Sequence, residues 1–193
     1  ELMAHKETME YASIIMVGKY KVVEELPTAC TNGIDCLYGK EFVGKLSDSD
    51  LRGVIMHENL HKTFQHTFLW QHLYEENGKV ANMACDYVIN LILKDIEKAS
   101  HGFVTLPKMG LHEERFRGMD SQQVFKILMD EGAGEGGEGS EFAGLDQHDW
   151  DTSGMTQKEI EEHIKEVNQA IRQGQLMAGK MGGKQSRELG ELV

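Results

Sequence analysis

Apolar and polar positions alternate along this chain in patterns that predict most of its elements. Tyr11, Ile14, Ile15 and Gly18 recur at helix spacing with Val22 and Val23 behind them, so residues 1–25 are expected to be helical until Pro27 ends the element. Thr31-Asn32-Gly33 is a turn signal, and Ile34–Tyr38 after it is a short β-prone run. Ser47-Asp48-Ser49-Asp50 offers several N-cap residues, so a long helix is expected from there to about Leu73. A second strong helix is expected over 80–97 and a third over Ser121–Asp130, with Ser121 as its cap. Gly102–Leu111, which contains Pro107, is expected to be extended or looped.

At residues 132–140 (GAGEGGEGS) the pattern stops: five Gly and two Glu in nine positions have nothing to bury. Beyond it, Thr156–Gln175 is charge-rich with Ile160, Ile164, Val167 and Ile171 on one narrow stripe, and the Gly-rich Ala178–Lys184 is expected to be loose. The layout expected is an α+β body over residues 1–131, a flexible linker or loop over 132–143 and a helical extension over 144–193.

Composition narrows the function. The 193 residues carry 20 Lys and Arg against 32 Asp and Glu, a net charge of −12. Nucleic-acid binding needs clustered basic residues, so no nucleic-acid partner is expected. No apolar run approaches the roughly 18–20 residues that span a bilayer, and no leader pattern opens the chain, so no membrane association is expected. Three cysteines (Cys30, Cys36, Cys85) without C-x-x-C spacing suit a reducing compartment, here the cytoplasm. The chain opens on Glu1 rather than Met, as a fragment of a longer protein would.

Nine histidines are the unusual feature, and spacing selects two of them. In His57-Glu58-Asn59-Leu60-His61 the two imidazoles lie at i and i+4 on one helix face, close enough to share a metal ion. Glu58 points to the side of that face, where a carboxylate takes a proton from a metal-activated water. Lys62 departs from the usual pattern, in which an uncharged residue follows the second His.

The second helix offers the third ligand. Almost its whole circumference is apolar, yet Asn82, Asp86 and Asn90 form one polar stripe at spacings of four. A carboxylate buried there is costly unless it is paired or bound to a cation. Asp86 is therefore the candidate third ligand, with Asn82 and Asn90 as hydrogen-bond partners around the site. An Asp that caps or pairs with a neighbour is the alternative. His101, His112 and His148 on loops are other candidates, and His72, Glu75 or Glu76 would serve if the first helix broke early. On a continuous helix His66 faces away from the pair; His5 and His163 are expected at the surface. Glu58-x-x-His61 also occurs in di-iron bundles, but no second E-x-x-H is present. None of the cysteines has the setting of a nucleophile.

Several segments together resemble bacterial and phage metallopeptidase-like proteins that occur with von Willebrand factor A-like domains. They are Pro27–Gly33, His57–His61 with His66, Asn82–Asn90, Leu106-Pro107 and Phe116–Leu128. The resemblance implies a zincin-like fold, in which a small mixed sheet and further helices pack around an active-site helix. It implies Zn²⁺ at His57, His61 and Asp86, with Glu58 as the general base and a peptide or protein as substrate. The chain leaves no room for a von Willebrand-like domain after residue 131, so such a partner domain is expected to be absent or separate. A non-catalytic, zinc-stabilised scaffold is the alternative function. Ile34–Tyr38 is either a sheet edge where an extended substrate adds a strand or an ordinary core strand. His112, Arg115, Tyr87 and His148 are the candidates for stabilising an oxyanion.

Overall fold

The computed structural model describes residues 1–133 and 154–192. From residue 134 onward the Gly- and Glu-rich segment expected as a linker lies outside the described residues, as does His148.

The first 25 residues do not form one helix. Two 3-10 turns, Leu2–Ala4 and Met9–Tyr11, lead into α1 (Ala12–Ile15), while Val22 and Val23 belong to strand β1 (Tyr20–Val23). These β-branched residues find a strand to pair with, and that tertiary pairing overrides the helical spacing before them. With β2 (Ala29–Thr31) and β3 (Cys36–Gly39) they make a three-stranded sheet in the order β1-β3-β2. β1 runs parallel to β3 with Tyr20 opposite Cys36, and β2 runs antiparallel to it with Cys30 opposite Leu37. The β-prone run is thus the central strand, and the sheet edges are β1 and β2.

After α2 (Lys40–Val43), helix α3 (Asp48–Thr63) starts at Ser47, whose Oγ accepts the Asp50 N–H at 3.1 Å. It ends well before Leu73. Gln65 takes a left-handed conformation (φ 53°, ψ 36°), α4 (His66–Leu69) follows, and α5 (Gln71–Ala99) begins after Trp70. Within α5, Asn77 leaves helical geometry (φ −156°, ψ 95°) and its Oδ1 accepts the Val80 N–H at 3.2 Å. That cap starts the apolar helix expected over 80–97. Residues 102–111 form the expected loop, which lies so close to α3 that a Cβ at Gly53 would stand 1.8 Å from the Thr105 carbonyl oxygen. α6 (Ser121–Asp130) is capped by Asp120 rather than Ser121, in a reciprocal box with Gln123.

α7 (Gln157–Met181) opens on a Thr156/Glu159 capping box and continues through Ala178 to Gly182, so the first part of the expected loose end is helical; α8 (Arg187–Glu191) follows. The apolar stripe of α7 is not surface. Val167 and Ile171 join Tyr11, Ile14, Met56, Leu60, Ile89 and Leu93 in one core, which also takes Leu189. A second core holds α6 against α5 through Val80, Ala84, Phe116, Val124, Phe125 and Leu128, and a third joins Ala29, Cys36 and Tyr38 of the sheet to Val54 of α3. Among the described residues no helix is long and apolar enough to cross a membrane.

Gly174 lets α7 approach the N-terminal turns. A Cβ there would lie 2.0 Å from the backbone oxygen of Glu10, so Gly174→Ala must push α7 outward. Such overpacking is expected to cost about 1–3 kcal/mol. A thermal melt should show it as a lower midpoint, and an unchanged midpoint would mean that α7 does not seat this closely.

Candidate metal centre

Two helices deliver the cluster. Met56 and Leu60 of α3 meet Ile89 and Leu93 of α5 in the first core, which fixes the two helices side by side. That packing turns His57, Glu58 and His61 of α3 and Asp86 and Asn90 of α5 inward, and all five are at most 1% exposed. His57 Nε2 lies 3.2 Å from His61 Nε2. Asp86 Oδ1 lies 3.2 Å from His61 Nε2 and 3.6 Å from His57 Nε2.

These separations suit a common ion. Ligands about 2.0–2.2 Å from a tetrahedral centre stand about 3.3–3.6 Å apart. The hydrogen bonds at the far side of His57 say which nitrogen is available. Asn90 Nδ2 donates to the Leu111 carbonyl at 2.9 Å, which leaves Asn90 Oδ1 as the acceptor for His57 Nδ1 at 2.8 Å. With its proton on Nδ1, neutral His57 presents a lone pair at Nε2 toward His61 and Asp86. Electron-rich atoms this close repel one another unless a proton or cation lies among them. Two imidazoles and a carboxylate form a donor set suited to a borderline divalent ion such as zinc.

His61 is held from its other side by a residue the spacing had pointed elsewhere. Because α3 stops and Gln65 turns left-handed, His66 folds back, and its Nδ1 lies 2.9 Å from His61 Nδ1. A left-handed residue is easy to anticipate at Gly, but Gln gives no such signal. His163 is a second departure: it is buried, not superficial, with Nε2 2.9 Å from the Gly33 carbonyl oxygen. His5 is half-buried and stacks on Phe103 at 4.1 Å.

His72, His101 and His112 are exposed. Tyr87 donates to Glu113 Oε1 at 3.2 Å, and burial with the neighbouring Glu113 charge raises its hydroxyl to about 12. Arg115 is engaged by Glu113 and Glu131. Asn82, one turn before Asp86, is half-buried.

Glu58 shares a helix stripe with Lys62, four residues on, and the ammonium is also buried. Lys62 Nζ donates to the Val17 carbonyl at 2.8 Å and to Tyr20 Oη at 3.0 Å, and Tyr20 Oη in turn donates to Asn59 Oδ1 at 2.7 Å. Burial lowers the Lys62 ammonium from its usual range, while Cys36, Asp35 and Glu58 pull it back up. Burial drives the Tyr38 hydroxyl well up, with Cys36 and then the Glu58 charge adding to it. Glu58 therefore lies between the metal-side histidines and a polar cluster on β1 and β3. The lysine that departs from the usual pattern ties the sheet to α3.

Compared with known families, the chain matches a family described as "Putative metallopeptidase domain" over residues 3–193. The chain belongs to this family. The match takes in α7 and α8 together with the two helices that carry the cluster. No curated protein and no solved structure matches the chain. That description points to a metal ion. Among the described residues His57, His61 and Asp86 are the group whose donor atoms, all within 4.8 Å of one another, could hold it.

Proposed function

We propose that this protein is a zinc-dependent peptidase with a zincin-like architecture, using His57, His61 and Asp86 as ligands and Glu58 as the general base. The observation that carries the reading is the convergence of three buried donors beside a carboxylate that lies next to His57 in sequence. Zinc held there would supply a Lewis acid that polarises a peptide carbonyl and makes a water acidic enough to lose a proton near neutral pH.

The chain's own groups do the rest. Asn90 fixes the ring of His57 through Nδ1, so that Nε2 faces the ion. The Glu58 carboxylate takes one proton from the attacking water as its oxygen bonds to the carbonyl carbon. The peptide C–N bond then breaks, and Glu58 returns that proton to the departing nitrogen.

A second reading has one observation in its favour. The three donors and Glu58 are all at most 1% exposed, as in a structural zinc site that holds a fold together. Four protein ligands would mark that case, whereas a catalytic site keeps a position for water. Zinc content, together with cleavage of an unstructured protein such as casein by the full chain, separates the two. Stoichiometric zinc with cleavage supports the peptidase; stoichiometric zinc without cleavage of any unstructured protein supports the scaffold.

Asn90→Leu tests the outer support of His57. Loss of such a partner costs about 10–100-fold in metal affinity. Competition with a chromophoric chelator should show that loss, and wild-type affinity would mean that Asn90 does not orient the ligand.

A further inference from the structure

Outside the three donors and the general base, two buried side chains touch the site: Asn90, placed against His57 above, and His66 against His61. We propose that His66 is a positioning residue: it keeps the proton of His61 on Nδ1, and helix α7 holds His66 in place. This rests on the metal-centre reading above.

The two Nδ1 atoms are 2.9 Å apart, the rings stand edge to face at 79°, and both residues are 1% exposed. One nitrogen must donate and the other accept. A proton on His61 Nε2 would point into the space 3.2 Å from both His57 Nε2 and Asp86 Oδ1, which the ion needs. The ligand lone pair must be there, so the proton sits on Nδ1 and His66 Nδ1 accepts it. His57 is served in the same way by an amide from α5. Each histidine ligand thus has its own outer partner, and the two partners come from different helices.

α7 reaches this arrangement at the helix break. Gln65 is left-handed, a conformation that a non-glycine residue adopts only when its surroundings hold it. Its Nε2 donates to Asn168 Oδ1 of α7 at 2.8 Å. On the other side of His66, the ring of Phe68 packs edge-on against His163 of α7, with centroids 5.4 Å apart. The break that presents His66 is therefore gripped at two points by one helix about a hundred residues downstream. Metal affinity should depend on α7 although α7 supplies no ligand.

The test measures zinc affinity of the full chain by chelator competition. His66→Phe, which keeps the ring and loses the acceptor, is expected to weaken zinc about 10–100-fold. His66→Asn, whose side-chain oxygen can accept the same proton, should recover most of that loss. Asn168→Leu should weaken zinc by about 2- to 10-fold, the worth of one ordinary hydrogen bond. Long-range ¹H–¹⁵N spectra of zinc-loaded wild type should place the His61 proton on Nδ1, a signature that packing alone would not set. His66→Phe with wild-type affinity, or a His61 proton on Nε2 in the loaded protein, would overturn the proposal while leaving the metal centre standing. A wild type without zinc affinity would overturn both.

Discussion

Glu58→Gln is expected to keep its zinc and lose its activity. The amide has the shape of the carboxylate but cannot take a proton from water. General base catalysis contributes about 10²–10⁴ in rate, equivalent to roughly 3–5 kcal/mol of barrier. Hydrolysis of casein should fall by that factor, while zinc content and the thermal midpoint of the loaded protein stay close to wild type. The substitution also removes a charge from a fully buried position next to Lys62, so the apo protein should not gain from it as a simple loss of buried charge would suggest. If Glu58→Gln cleaved at the wild-type rate, another group would be the base; a parallel loss of zinc would make Glu58 part of the metal site.

Asp86→Ala is expected to remove zinc outright. Losing an outer partner already costs about 10–100-fold, and losing a ligand should exceed that. Thermal unfolding gives a readout independent of catalysis. Zinc at 100 times its dissociation constant stabilises the wild type by about 2.7 kcal/mol through mass action. Asp86→Ala should show no such rise. A zinc-dependent rise that survives in Asp86→Ala would move the third ligand elsewhere.

Much of the site could be read from the sequence because it is local. His57 and His61 share a face by helical arithmetic alone, and Asp86 stands out as a charge in an apolar cylinder. The structure places these three together, and it puts Asn90 against His57. What the sequence hid is what depends on chain reversal. The turn that returns His66 to His61 falls on Gln65, whose side chain gives no sign of a left-handed backbone. Its restraint comes from Asn168, 103 positions away. His163 looked superficial on a charged helix, yet that helix seats on the sheet turn at Gly33. Val22 and Val23 continued a helical period but were taken up by pairing with β3. Likewise the stripe of α7, set apart as a tail, has its apolar partners in α1, α3 and α5, which no local window includes.

His57, His61 and Asp86 are expected to bind one zinc ion and leave it a position for water. The deciding measurement is a crystal structure of the zinc-loaded protein, with the ion located by its anomalous signal. It should show a single ion with the Nε2 atoms of both histidines and an Asp86 oxygen about 2.0–2.2 Å away, and one further site open to solvent. An ion bound elsewhere, or one closed by a fourth protein ligand, would contradict this expectation.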